Sequence, residues 1–110
     1  NMNEKDREII SELKHRLTGD ILTHLKKLIV FGSRARGEAA EDSDIDILVV
    51  MTEKSPDMEK KLEDIAYAVM WDYDFKPIIS IKMTSESQFN ESLARGFSFY
   101  RHIEKEGVSV

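Results

Sequence analysis

Apolar residues recur along the chain at two different periods, and the switches between them mark the elements. Over residues 3–17, Ile9, Ile10, Leu13 and Leu17 fall at helical spacing among Lys, Glu and Arg, which predicts an amphipathic helix. Gly19 breaks that pattern, and Asp20 caps a short second helix carrying Ile21, Leu22 and Leu25. The run Leu28-Ile29-Val30-Phe31 then stops abruptly at Gly32-Ser33, and a short apolar run bounded by turn residues reads as a buried strand. Ser33 caps a helical turn over 34–36 that Gly37 ends. After a polar loop over 38–43, a second strand is predicted from Asp44 to Met51.

Ser55-Pro56 pairs a capping serine with a proline at the first helical position. Met58, Leu62, Ile65, Ala66, Val69 and Met70 mark one face of the helix that follows. It ends near Trp71, with Trp71 and Tyr73 expected to cover the core. An isoleucine-rich, partly alternating stretch over 75–83 predicts a third strand. Ser85 with Gln88 forms a capping box opening a helix with Phe89 and Leu93 inward. Gly96 interrupts it, and a last helix over 97–106 carries Phe99, Tyr100 and Ile103 before Gly107. The order helix, strand, strand, helix, strand, helix predicts an α+β fold, a small sheet covered by helices on one side.

Composition narrows the partners. At 110 residues the chain is expected to form a single domain over 1–110. Acidic residues outnumber basic ones 21 to 16, for a net charge of −5, which argues against a chain that grips long nucleic acid by its phosphates. There is no cysteine, hence no disulfide framework, thiolate metal site or cysteine nucleophile. No apolar run approaches the roughly 18 residues of a membrane span, and a cytoplasmic location is expected. His15, His24 and His102 share no metal-ligand spacing and read as surface residues.

Chemistry concentrates at the ends of the first two strands. Asp44 and Asp46 are two apart, so in a strand they share a face about 7 Å apart along the backbone while Ile45 and Ile47 point to the core. Their carboxylates can converge on one hard cation, and an oxygen-only donor set favours Mg²⁺ or Mn²⁺. Mg²⁺ takes one or two protein carboxylates and completes its shell with water and phosphate oxygens. Gly32 allows a ligand close to the backbone, the turn's amides can hold an anion, and the Ser33 hydroxyl adds a hydrogen bond. Together the two halves describe a bound nucleoside triphosphate. Taken singly, an Asp-x-Asp is usually a solvated strand end and a Gly-Ser a turn; joint occurrence at fixed spacing separates them from that background.

Gly32-Ser33, ten residues, then Asp44-x-Asp46 resembles the signature of the DNA polymerase β-like nucleotidyltransferase superfamily. The fuller string GSRARGEAAEDSDIDILVV resembles its minimal nucleotidyltransferase branch, often paired with a HEPN-domain protein as a toxin–antitoxin module. The closing FYRHIEKEGV is similar to that branch as well. The resemblance implies a small mixed β-sheet with flanking α-helices, the polymerase β-like palm, with Gly32 and Ser33 holding the triphosphate and Asp44 and Asp46 as catalytic metal ligands for Mg²⁺. It implies transfer of a nucleoside monophosphate to a hydroxyl with release of pyrophosphate; in HEPN-paired members AMP from ATP goes to a tyrosine of the partner toxin. Arg34 matches the branch pattern as a nucleotide contact, as does Arg36; pairing at the surface with Glu38, Glu41 or Asp42 is the competing reading.

One departure stands out. The superfamily places a third carboxylate on the next core strand, and 75–83 contains none. Asp74 is the nearest candidate for a third catalytic acid, with an ordinary loop role for Asp72 and Asp74 as the alternative, and Ser80 as the residue otherwise standing in that place. Lys82 reads as outward-facing, and Phe97, Phe99 and Tyr100 as core, with a partner-docking patch as the minority reading. The expected function is therefore a Mg²⁺-dependent nucleotidyltransferase acting as antitoxin towards a HEPN-family toxin. Its rival is a nucleotide-binding antitoxin that neutralises by docking alone; transfer to a small molecule or RNA ranks third.

Overall fold

A computed structural model describes residues 2–38, 40 and 42–110. Among the described residues ten elements follow one another: α1 (Glu4–His15), α2 (Gly19–His24), β1 (Leu25–Phe31), α3 (Ser33–Arg36), β2 (Ile45–Met51), α4 (Pro56–Asp72), β3 (Ile79–Ser85), α5 (Glu86–Ala94), α6 (Ser98–Glu106) and β4 (Val108–Ser109). The strands form one mixed sheet in the order β3-β2-β1-β4. β1 runs antiparallel to both β2 and β4, whereas β2 and β3 are parallel and joined through α4. No helix among the described residues is long and apolar enough to cross a membrane.

The helix starts are set by local chemistry. Asn3 caps α1, its side chain accepting from the Asp6 amide at 2.8 Å. Ser55 caps α4 by accepting from the Met58 amide at 3.1 Å, with Pro56 in the first turn. Ser85 likewise caps α5 through the Gln88 amide. The expected capping box is only half formed, because the Gln88 side chain donates to Ser92 Oγ instead of turning back.

Helices cover both faces of the sheet, not one as the element order suggested. Ile45, Ile47, Val49 and Met51 of β2 pack against Ile9, Leu13, Ile21, Leu62 and Val69 from α1, α2 and α4. Leu48 and Val50, from the opposite face of the same strand, pack with Ile29, Phe89 and Ile103 beneath α5 and α6. The reason lies in β2, which after Asp46 is apolar at every position and so must be covered twice. Burying these side chains contributes about 1.5–3 kcal/mol each.

Other boundaries shift for identifiable reasons. β1 begins at Leu25 rather than Leu28, because Lys27 and its neighbours extend the ladder to Met51 across an irregularity in register. β3 begins at Ile79, not at 75: Asp74 and Phe75 both adopt left-handed backbone, at φ 57° and 56°, and Pro77 has no amide to donate. Trp71 does not cover the core; it is 66% exposed and meets the Phe75 ring edge-on. Gly107 lets α6 pass straight into β4, since a Cβ there would lie 2.5 Å from both the Ile103 carbonyl oxygen and Ile29 Cγ2.

Candidate active site

Phe31, the last residue of β1, pairs with Asp46 on β2, and Asp46 pairs with Ser80 on β3. These three residues form a row across one end of the sheet. Asp46 belongs by alternation to the face of Leu48 and Val50, beside α6. The chain leaves β1 at Gly32, whose backbone lies at φ 76° and ψ −162°, a region open in practice only to glycine. A Cβ at Gly32 would stand 2.9 Å from Asp46 Oδ2. The glycine is thus required twice, by its backbone and by the carboxylate pressed against it.

Ser33 begins α3 immediately after Gly32, and its hydroxyl-bearing side chain is half-buried next to this corner. Asp44, exposed, stands just ahead of β2, two residues before half-buried Asp46. Burial, followed by repulsion from the Asp44 carboxylate, raises the pKa of Asp46 above its ordinary value. Two carboxylates held near each other with one partly dehydrated are a natural seat for a cation, which removes both penalties. The donor set fits Mg²⁺, which needs no more than one or two protein carboxylates. Among the described residues no group of three His, Cys, Asp or Glu side chains forms a fuller metal cage.

The remaining expected site residues are distributed differently. Asp74 lies in the turn after α4, outside the row formed by Phe31, Asp46 and Ser80. Asp72 accepts a hydrogen bond from Arg16 at 2.6 Å and ties α4 to α1. Ser80 is the residue beside Asp46 on the neighbouring strand, where a third acid would stand. Arg34 turns inward. Its guanidinium is buried, donating to the Ser43 carbonyl at 3.1 and 2.7 Å and to both carboxylate oxygens of Asp6 at 3.3 Å. Arg36 does pair with Glu38, at 3.1 Å; Glu41 lies outside the described residues.

Asp6 had no place among the sequence candidates. Its partner Arg34 is distant along the chain, and nothing in an amphipathic pattern distinguishes one first-turn acid from another. The pair matters because Ser43 precedes Asp44: Arg34 clamps the end of the loop that delivers the first aspartate. Lys82, on the same face as Ser80, places its ammonium 4.9 Å from the Phe99 ring centroid.

Residues 6–107 match the nucleotidyltransferase domain family. The chain belongs to that family. A Methanocaldococcus jannaschii protein bearing the provisional name protein adenylyltransferase is 35% identical over 108 residues, which cover 96% of each chain. A second protein of that archaeon with the same provisional name is 37% identical over 87 residues, covering 76% of this chain and 88% of its own. Among solved structures, a toxin–antitoxin crystallised with AMP-PNP aligns at a TM-score of 0.53 and 18% identity, covering 94% of this chain and 70% of that one. A toxin–antitoxin MntA–HpeT mutant aligns at 0.52 and 18%, covering 100% and 72%. At that identity the two structures establish the fold, a nucleotidyltransferase α+β fold with a mixed sheet and flanking helices. The protein is a nucleotidyltransferase enzyme, as the Gly-Ser and Asp-x-Asp spacing indicated.

Proposed function

We propose that this nucleotidyltransferase moves AMP from ATP to a tyrosine hydroxyl of a HEPN-family toxin and thereby acts as its antitoxin. The observation that carries this reading is the Asp46 carboxylate set against Gly32, which joins a cation seat to a phosphate-accepting turn. Asp44 and Asp46 would hold Mg²⁺, which when bound would supply positive charge to the phosphates. Gly32 and Ser33 receive the triphosphate through backbone amides and the serine hydroxyl. The acceptor oxygen attacks the α-phosphorus, the bond to the bridging oxygen breaks, and pyrophosphate leaves. Positioning and charge stabilisation do most of the work in such transfers.

What Ser80 lacks agrees with the phenolic acceptor that the family resemblance implies. With no carboxylate beside Asp46 to take the proton, an alkyl hydroxyl is a poor nucleophile here. A phenol, with a pKa near 10, ionises far more readily and needs less help. The provisional names of the two archaeal relatives and the toxin–antitoxin assemblies sharing the fold agree with a protein acceptor. Ser80 also favours a second reading, in which nucleotide binding persists and neutralisation comes from docking alone.

Pyrophosphate release separates the two. With ATP, Mg²⁺ and the toxin present, the wild-type protein is expected to release pyrophosphate, and Asp46→Asn to lower the rate at least a hundredfold. Toxin neutralisation without pyrophosphate release would favour docking. Chelation of the divalent ion is expected to stop release as completely as the substitution does.

A further inference from the structure

A groove of about 460 Å³ opens between the end of β1 and α6, lined by Phe31, Gly32, Ser98, Phe99, His102 and Ile103. Small-molecule pockets run from roughly 300 to 1,000 Å³. Gly32 belongs to this groove and also touches Asp46, so the groove begins where the triphosphate reading places the phosphates. The next row of the same sheet face, Ile29 and Leu48, is sealed with Ile103 in the core. A ligand anchored at Gly32 and Asp46 therefore finds its room on the α6 side, over Phe31.

The lining suits a nucleoside. Phe99 is 41% exposed although three neighbours fix its ring: Phe31 and Tyr100 meet it edge-to-face at 5.6 and 5.1 Å, and the Lys82 ammonium stands 4.9 Å from its centroid. A rigidly held, exposed aromatic is a stacking surface for a base. Ser98 brings a hydroxyl, and His102 an imidazole whose Nε2 pairs with Glu106 at 2.8 Å, leaving Nδ1 to face other partners. Such groups can hydrogen-bond a ribose or a base edge.

We propose that this groove holds the nucleoside half of the triphosphate, with the base on Phe99 and polar contacts from Ser98 and His102. The proposal rests on the nucleotidyltransferase reading of Gly32 and Asp46. It leaves the opposite side of Asp46, at Ser80 on the terminal strand β3, for the acceptor.

Titrating the protein with ATP and with inorganic tripolyphosphate, both in Mg²⁺, tests it, because the second probe has phosphates and no nucleoside. Wild type is expected to bind ATP more tightly than tripolyphosphate. Phe99→Ala should lose about tenfold in ATP affinity and nothing for tripolyphosphate, while Phe99→Tyr keeps both. His102→Ala, on an exposed side chain that the fold does not need, should weaken ATP alone by a few-fold, and it carries the test if Phe99→Ala fails to fold. Unchanged ATP affinity in Phe99→Ala and His102→Ala, with Asp46→Asn still weakening it, would place the nucleoside elsewhere and overturn the proposal. Wild-type protein that binds neither probe would instead sink the nucleotide-site reading on which the proposal stands.

Discussion

At the scale of single residues, Gly32 and Asp46 act as one unit, since the carboxylate occupies the space that any side chain at Gly32 would need. Gly32→Ala meets that obstacle at 2.9 Å and adds backbone strain of about 1–3 kcal/mol. We expect a lowered thermal midpoint and loss of transfer beyond what the stability change explains, measured by calorimetry and pyrophosphate release. Asp46 also makes stability depend on pH. Its folded pKa is raised, so between the ordinary value of 3.8 and the folded value the native state holds more proton than the unfolded chain. Stability of the metal-free protein should therefore fall as pH rises through that window and stay at the lower level above it. Asp46→Asn should remove this component, and added Mg²⁺ should restore stability to wild type above the window but not to the variant. Thermal midpoints across pH 3 to 7 read both effects.

At the scale of elements, the site depends on how α3 and the following loop are pinned. Arg34 reaches from α3 to Asp6 of α1 and to the Ser43 carbonyl, fixing the approach to Asp44. Asp6→Ala removes the carboxylate that Asp6 sets against the buried Arg34 guanidinium but keeps the Arg34–Ser43 bonds, a change that costs about 1.5–3 kcal/mol. We expect a drop in the urea midpoint and faster amide exchange at Ser43 and Asp44. The helix starts at Ser55 and Ser85 were readable in sequence because a cap and the amide it satisfies lie three residues apart, whereas α2 and α3 are capped by Thr18 and Gly32 rather than by the expected Asp20 and Ser33. The Gly32-Ser33 and Asp44-Asp46 corners were readable because each abuts an apolar strand. The burial of Arg34 was not, because its partner is set by tertiary packing. The start of β3 was misplaced because isoleucine content conceals the left-handed pair Asp74 and Phe75.

At the scale of the whole molecule, two helical layers hold the mixed sheet, leaving the strand ends bearing Asp44 and Asp46 open at one side. Sequence order alone suggested one covered face, since chain order does not state on which side a helix returns. Only the doubly apolar β2 carried that information. The groove beside α6 was likewise invisible in sequence, being assembled from β1, the Gly32 corner and a helix near the other end of the chain. The central claim is transfer of the α-phosphoryl group with its nucleoside to the partner. ATP labelled at the α-phosphate, incubated with Mg²⁺, this protein and the partner toxin, tests it most directly. The account predicts label on a toxin tyrosine with wild type and none with Asp44→Ala. An unlabelled toxin that is neutralised equally well by wild type and by Asp44→Ala would contradict it.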